Sequence, residues 1–264
     1  MNKEKYKQAI KDFRLMDDTF MSAAFDGNIE GTQLVLNIIL NRSDMVVTEV
    51  VAQREYKNLI DRSIRLDIYA KDSSGKEYDI EVQRAKDGSE CRRARYHSSM
   101  MDTKMLKKKQ KFSEIKDSYV IFITETDALG MGLPIYHIER TVLEMQTLFG
   151  DGSHIIYVNG SYEDGKSPLG KLIHDFKCKE PGEMNYSVLA EKVDFLKNDE
   201  RGNDAVCEIM DKLNKEATEE AIYERNREVA LKLLEIGKLS YEEIAQSSDL
   251  SVEEVKALAE GKTA

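Results

Sequence analysis

No run of about 18 consecutive apolar residues occurs in the 264-residue chain, so a membrane-spanning helix is not expected. The N-terminal Met1-Asn2-Lys3-Glu4-Lys5-Tyr6-Lys7 leads into no apolar segment, so a secretory signal is not expected and the protein is placed in the cytoplasm. Cysteine is scarce. Cys91, Cys178 and Cys207 are odd in number, far apart and never in a Cys-x-x-Cys pair, which excludes a disulfide framework and the common zinc frameworks. The histidines His97, His137, His154 and His174 show no paired metal spacing, and read as structural residues, with His97 near any groove beside the hairpin described below. A glycine-rich phosphate loop followed by Lys-Ser/Thr is missing, which argues against a nucleotide-driven motor. Internal repeats and low-complexity tracts are also missing.

What is present suffices for a core. With 41% hydrophobic and 33% charged residues, the chain is expected to form one medium domain plus an appendage, or two small domains. The net charge of -10 conceals an asymmetry: Arg84 to Lys116 carries eleven Lys or Arg against Asp87, Glu90, Asp102 and Glu114, hence +7, and the remainder carries -17. A basic stripe lies on an acidic protein, and distribution of this kind governs which partners a surface attracts.

Residues 1–25 are mixed and amphipathic, and Leu34, Val35, Ile38 and Ile39 have the spacing of a packed helix over residues 32–40. Strands are expected at 45–55, where Val46, Val47, Val50 and Val51 cluster, and at 63–70, where Ile64, Leu66 and Ile68 alternate with Arg65, Asp67 and Tyr69. After Asp72-Ser73-Ser74-Gly75, a turn sequence, Tyr78, Ile80 and Val82 alternate with Asp79, Glu81 and Gln83, giving a hairpin with one apolar and one polar face. A basic helix over Cys91–Lys107 precedes apolar strands at 119–124 and 154–158. The order predicts an α/β layer architecture with a mixed sheet. After about Pro181 the chain turns helical and charged, so a domain of residues 1–184 and a helical appendage of 185–264 are expected.

The hairpin carries the chemistry. A type I turn closed by Gly75 in the left-handed conformation sets Asp72 against Lys76 and Asp67 against Glu81. Two carboxylates held so close repel, and need either a cation or a raised pKa. Gln83 projects from the same face as Glu81. Hard oxygen ligands of this kind suit Mg²⁺ or Mn²⁺, with a substrate phosphate and water completing the shell.

Asp67, thirteen intervening residues and Glu81-Val82-Gln83, together with Arg65-Leu66-Asp67-Ile68, Ile80-Glu81-Val82-Gln83 and Arg93-Ala94-Arg95-Tyr96-His97-Ser98, resemble the PD-(D/E)XK nuclease superfamily in its recombination-promoting nuclease and transposase branch. The likeness spans roughly residues 15–200. It implies a restriction-endonuclease-like αβββαβ core, a mixed central sheet flanked by helices, and Mg²⁺-dependent cleavage of DNA phosphodiesters. It also implies Asp67 as principal metal ligand, Glu81 as second, the Val82 backbone carbonyl as third, and Gln83 where relatives hold lysine. An acidic residue on the first core helix completes such sites; Glu30 is selected, with Asp17, Asp18 and Glu55 as competitors. Leu66 stands in place of the proline of the superfamily's name. Gln83, unlike lysine, can orient a water or bind a phosphate oxygen but brings no positive charge.

Arg92, Arg93, Arg95, Tyr96 and His97 directly follow the hairpin, where the phosphates of bound DNA need neutralising. At the C-terminus, Ser240 with Glu243 and Ser251 with Glu254 are capping boxes of a helix-turn-helix-like pair. Its six acidic residues and single Lys256 between Tyr241 and Glu260 suit packing, partner contact or homo-oligomer formation better than a phosphate backbone. The expected function is a metal-dependent DNA endonuclease of a mobile-element or recombination-associated family. The rivals are a catalytically weak DNA-binding protein and an interaction protein acting through the acidic helical tail.

Overall fold

The structure is a computed structural model and describes residues 3–56, 63–106 and 108–261, except for the side chains of residues 3–5, 86 and 87. Lys107, the last residue of the expected basic helix, lies outside the described residues, as do Met1 and Asn2. Three helices, α1 (Lys3–Asp12), α2 (Asp18–Phe25) and α3 (Ile29–Ile39), precede three strands, β1 (Val47–Tyr56), β2 (Ile64–Asp72) and β3 (Glu77–Gln83). Then come α4 (Cys91–Met105), β4 (Ser118–Thr124), β5 (Ile135–Ile138), the short pair β6 (Thr141–Val142) and β7 (Thr147–Leu148), and β8 (Ser153–Asn159). Helices α5 (Pro168–Lys177), α6 (Ser187–Asn198), α7 (Glu200–Ile236), α8 (Tyr241–Ser248) and α9 (Val252–Ala259) complete the chain.

One sheet has six strands in the order β1-β2-β3-β4-β8-β5. It is mixed: β3–β4 and β4–β8 are parallel, while β2–β3 and β8–β5 are antiparallel. The run α3-β1-β2-β3-α4-β4 has the expected αβββαβ order within a mixed sheet flanked by helices. Residues 135–138, to which the sequence pattern assigns no element, supply β5, whose four residues are held by pairing with β8. Helix α5 begins at Pro168, because Ser167 caps it by accepting from the Gly170 N–H at 3.1 Å and Pro168 suits the first helical turn.

The centre of the sheet is dry. From Glu77 to Val82 every residue of β3 is buried, so both of its faces are covered. The polar face expected for the hairpin is therefore turned to the interior: β3 lies between β2 and β4, and α4 packs on β4 and β8. The inward stripe of α4 is Ala94, His97, Ser98 and Met101, spaced as a helix face requires.

The described residues divide into two compact units, one within 3–56 and 65–209 and the other within 63–64 and 210–261. The first reaches beyond the division at 184/185 drawn from sequence, because α6 buries Leu189, Val193 and Leu196 and packs on α1, α2 and α3. The second has its own core, in which Ala230 of α7 joins Ile244, Ala245, Leu250, Val255 and Leu258. Among the described residues no helix is long and apolar enough to cross a membrane.

Candidate metal centre

The turn that sets the register is built locally. The Asp72 carbonyl accepts from the Gly75 N–H at 3.0 Å, the Asp72 N–H donates to the Lys76 carbonyl at 3.1 Å, and Gly75 has φ +87°. Asp72 Oδ1 also accepts from the Ser74 and Lys76 N–H groups at 2.8 and 3.0 Å. This turn puts Ile68 opposite Ile80. One step further along, Asp67 and Glu81 meet, and the Asp67 N–H donates to Glu81 Oε1 at 3.1 Å.

Asp67 and Glu81 are bridged by a side-chain amide. Gln83 Nε2 donates to Asp67 Oδ2 at 3.3 Å and to Glu81 Oε2 at 3.4 Å. The Val82 N–H donates to Asp67 Oδ2 at 3.0 Å, and since both polar groups of a strand residue leave on one edge, the Val82 carbonyl lies on the Asp67 side. Gln83 itself is packed closely. A Cβ on Gly88 would fall 2.0 Å from Gln83 Oε1, so the approach of the two residues requires a glycine at that position.

Glu81 has different neighbours on its two oxygens. Arg93 of α4 pairs with Oε2 at 2.7 Å, while His97 Nδ1 lies 3.7 Å from Oε1. His97 Nδ1 is also 2.8 Å from Asp79 Oδ2, and Asp79 Oδ1 is buried with no hydrogen-bond partner among the described residues. Asp79 and Glu81 have no exposed surface and His97 has 3%. Asp79, Glu81 and His97 each present one ligand atom, and these lie within 4.8 Å of one another.

Burial at this density pushes carboxyl groups toward their neutral form. Desolvation raises the Glu81 pKa to about 8, with Asp79 adding to it and His97 and Arg93 opposing. Desolvation and then Glu81 hold Asp67 well above the carboxylate range, and desolvation and then Asp67 do the same for Asp79. A divalent cation relieves all three. The donor set fits one: carboxylate oxygens converge, a buried oxygen of Asp79 lacks a partner, and a neutral amide occupies the space between Asp67 and Glu81.

The other residues singled out by sequence are distributed unevenly. Glu30 is exposed in the first turn of α3, because that helix turns Gly31, Thr32, Val35, Leu36 and Ile39 inward. Of its competitors, Asp18 at the start of α2 lies within electrostatic reach of Asp67 and adds to the upward push on its pKa. Asp17 is held by Arg84 at 2.6 Å and Arg14 at 3.9 Å, and Glu55 is exposed on β1. Arg92 and Arg95 are exposed on α4 and Tyr96 is half-buried. His97 departs from the expected DNA contact, since it belongs to the inward stripe of α4 and meets Asp79 in the interior. Arg93 is engaged with Glu81.

Asp79 is a participant that sequence patterning alone did not single out. Asp79 shares the alternation that puts Glu81 and Gln83 on one face, a signal that was available. The pairing of Asp79 with His97 spans 18 residues and depends on how α4 docks, which no local pattern encodes.

A family model described as PD-(D/E)XK nuclease family transposase matches residues 26–159, half of the chain, and that span contains β1 to β8 and α4. No curated protein and no solved structure matches the chain.

Proposed function

From the premise that the chain belongs to the PD-(D/E)XK nuclease family transposases, we propose that it is a divalent-metal-dependent DNA endonuclease whose centre is the hairpin formed by β2 and β3. The observation that carries this reading is the pairing of Asp67 and Glu81 about the Gln83 amide, at 3.3 and 3.4 Å. Asp67, Glu81 and the Val82 carbonyl would hold Mg²⁺ or Mn²⁺, with Asp18 nearer than Glu30 as an additional acidic group. When bound, the ion supplies an acidified water and neutralises charge developing on the scissile phosphate.

The chain's own groups do the rest. Gln83, uncharged, orients a water or a phosphate oxygen through its N–H groups. Arg93 leaves Glu81 when a cation arrives and becomes available to a phosphate, while Arg92 and Arg95 neutralise the neighbouring backbone from the exposed side of α4. Recombination or transposition follows the family's description; no residue at the centre encodes strand transfer.

A second reading, a DNA-binding protein with little or no catalysis, is favoured by two observations. Gln83 brings no cation where a lysine would, and Arg93 already occupies Glu81 Oε2. Conversion of supercoiled plasmid in Mg²⁺ and in Mn²⁺, with Asp67→Ala and Glu81→Ala in parallel, separates the two. The endonuclease reading expects metal-dependent nicking or linearisation that falls at least about 100-fold in both variants. A folded protein that shifts DNA yet cleaves with neither metal establishes the binding protein instead.

A further inference from the structure

We propose that Asp79, Glu81 and His97 form a second cation site beside the Asp67 site, with Glu81 shared between the two, suited to a transition-metal dication such as Mn²⁺ or Zn²⁺ rather than to Mg²⁺. The proposal rests on the metal-centre reading above through that shared carboxylate.

Glu81 is arranged as a bridge. Its Oε2 faces Gln83 and Arg93 at 3.4 and 2.7 Å, and its Oε1 faces His97 at 3.7 Å. On the His97 side the distances are those of a site. His97 Nδ1 is 2.8 Å from Asp79 Oδ2 and 3.7 Å from Glu81 Oε1. Ligand atoms around a cation with bonds of about 2.1 Å lie roughly 3.0–3.4 Å apart, so both His97 distances are within a few tenths of an ångström of coordinated values, and all three ligand atoms lie within 4.8 Å of one another.

Burial supplies the independent reason for a ligand. Asp79 has no exposed surface and its Oδ1 has no partner among the described residues. His97 faces the other oxygen, Oδ2, at 2.8 Å, so an ion held with His97 takes up Oδ1 as well when Asp79 binds it through both oxygens. The donor set also selects the ion. Two carboxylates suit any hard dication, but an imidazole nitrogen favours Mn²⁺ or Zn²⁺ over Mg²⁺, which prefers oxygen and retains its waters.

Loading this site would also move Arg93. Its Nε donates to His97 Nε2 at 3.4 Å, so in the present arrangement His97 Nδ1 carries the ring proton and donates it to Asp79. A cation at Nδ1 displaces that proton to Nε2, the ring stays neutral, and the new N–H then opposes the Arg93 donor. Arg93, whose side chain is 37% exposed, is thereby turned out from both His97 and Glu81 toward solvent.

The test is Mn²⁺ binding to the full chain without DNA, counted by the loss of the free-ion electron paramagnetic resonance signal, with electron spin-echo modulation to detect a directly bound nitrogen. The expected result is two Mn²⁺ per chain, one with nitrogen-14 modulation, and preferential displacement by Mg²⁺ of the ion that lacks it. His97→Gln and Asp79→Asn should each weaken the nitrogen-bound ion at least about tenfold, while Asp67→Ala keeps the modulation. Thermal melts in EDTA establish that each variant is folded, and if neither is, the modulation in the unaltered chain decides. Bound Mn²⁺ without nitrogen modulation, or a count unchanged in folded His97→Gln, overturns the proposal. Modulation without plasmid cleavage keeps this site and removes the endonuclease; cleavage without modulation does the reverse.

Discussion

Asp79 and Glu81 on β3 are fully buried, and desolvation drives both toward the protonated form. Glu243 and Glu254, at the starts of α8 and α9, instead accept hydrogen bonds that hold both pKa values below the ordinary range: Glu243 from the Ser240 N–H at 2.8 Å, and Glu254 from the Ser251 hydroxyl at 2.6 Å and then the Ser251 N–H at 2.7 Å. The same functional group is thus destabilised as an anion in one unit and stabilised in the other. In the C-terminal unit the carboxylates serve the fold, closing helix ends that would otherwise leave donors unsatisfied. In the sheet they oppose it unless a cation is present, the arrangement expected where stability is given up for binding.

This contrast predicts opposite pH responses, and these are the largest effects. Glu81 has a folded pKa of about 8 against an ordinary 4.5, so across that window the folded state holds a proton that the unfolded state has released. Stability contributed by the sheet centre is therefore complete below about pH 4.5 and is lost as pH rises toward 8, by about 1.4 kcal/mol per pH unit for one such group. Glu243 and Glu254 have the reverse sign: their contribution is present above the unfolded value and disappears as pH falls through the folded one. Hydrogen exchange of the full chain in EDTA, corrected for the intrinsic rate, should show β2 and β3 losing protection from pH 5 to 8 while α8 and α9 lose it toward pH 4. Excess Mn²⁺ should abolish the first trend and leave the second. A sheet centre indifferent to pH in EDTA would break the comparison.

A smaller effect comes from Gly88. Alanine there places a methyl group 2.0 Å from Gln83 Oε1, and the flexible amide is the part that must move. Gly88→Ala should leave the fold intact and turn Gln83 away from Asp67 and Glu81. Metal-dependent cleavage is expected to fall about tenfold, matching Gln83→Ala, with no further loss in the double variant because both changes remove the same group. Additive losses would show that Gly88 acts other than through Gln83.

How far each region could be read from sequence follows from the range of its interactions. The turn at Asp72 to Gly75, its left-handed glycine and the facing of Asp67 and Glu81 were legible because they involve residues close along the chain. The capping boxes at Ser240 and Ser251 were legible for the same reason, since each links residues three apart. The family-like residues Asp67, Glu81 and Gln83 fall together, but the depth of their burial was not legible, because coverage of β3 comes from β4 and α4 rather than from the hairpin. That Asp18 comes within electrostatic reach of Asp67 while Glu30 is exposed, and that His97 docks onto Asp79, required knowing which side of a helix meets the sheet. A basic helix in sequence looks like a nucleic-acid surface. Its folded form directs Arg93 and His97 inward and leaves Arg92 and Arg95 outside.

The smallest predicted effect tests whether the two units are energetically separate. The Ser240 hydroxyl accepts from the Glu243 N–H at 3.2 Å, while the Glu243 carboxylate accepts from the Ser240 N–H at 2.8 Å. Ser240→Ala removes the first bond and keeps the second, so the helix start loses one acceptor, worth about 1 kcal/mol. The loss should be confined to the core of Ala230, Ile244, Ala245, Leu250, Val255 and Leu258, which is complete within the C-terminal unit. Hydrogen exchange should therefore accelerate about fivefold in α8 and α9, with β3 and Mn²⁺ binding unchanged. Acceleration that spreads to β3 would mean that the caps help to hold the metal centre, and that the opposite carboxylate chemistries of the two units are coupled.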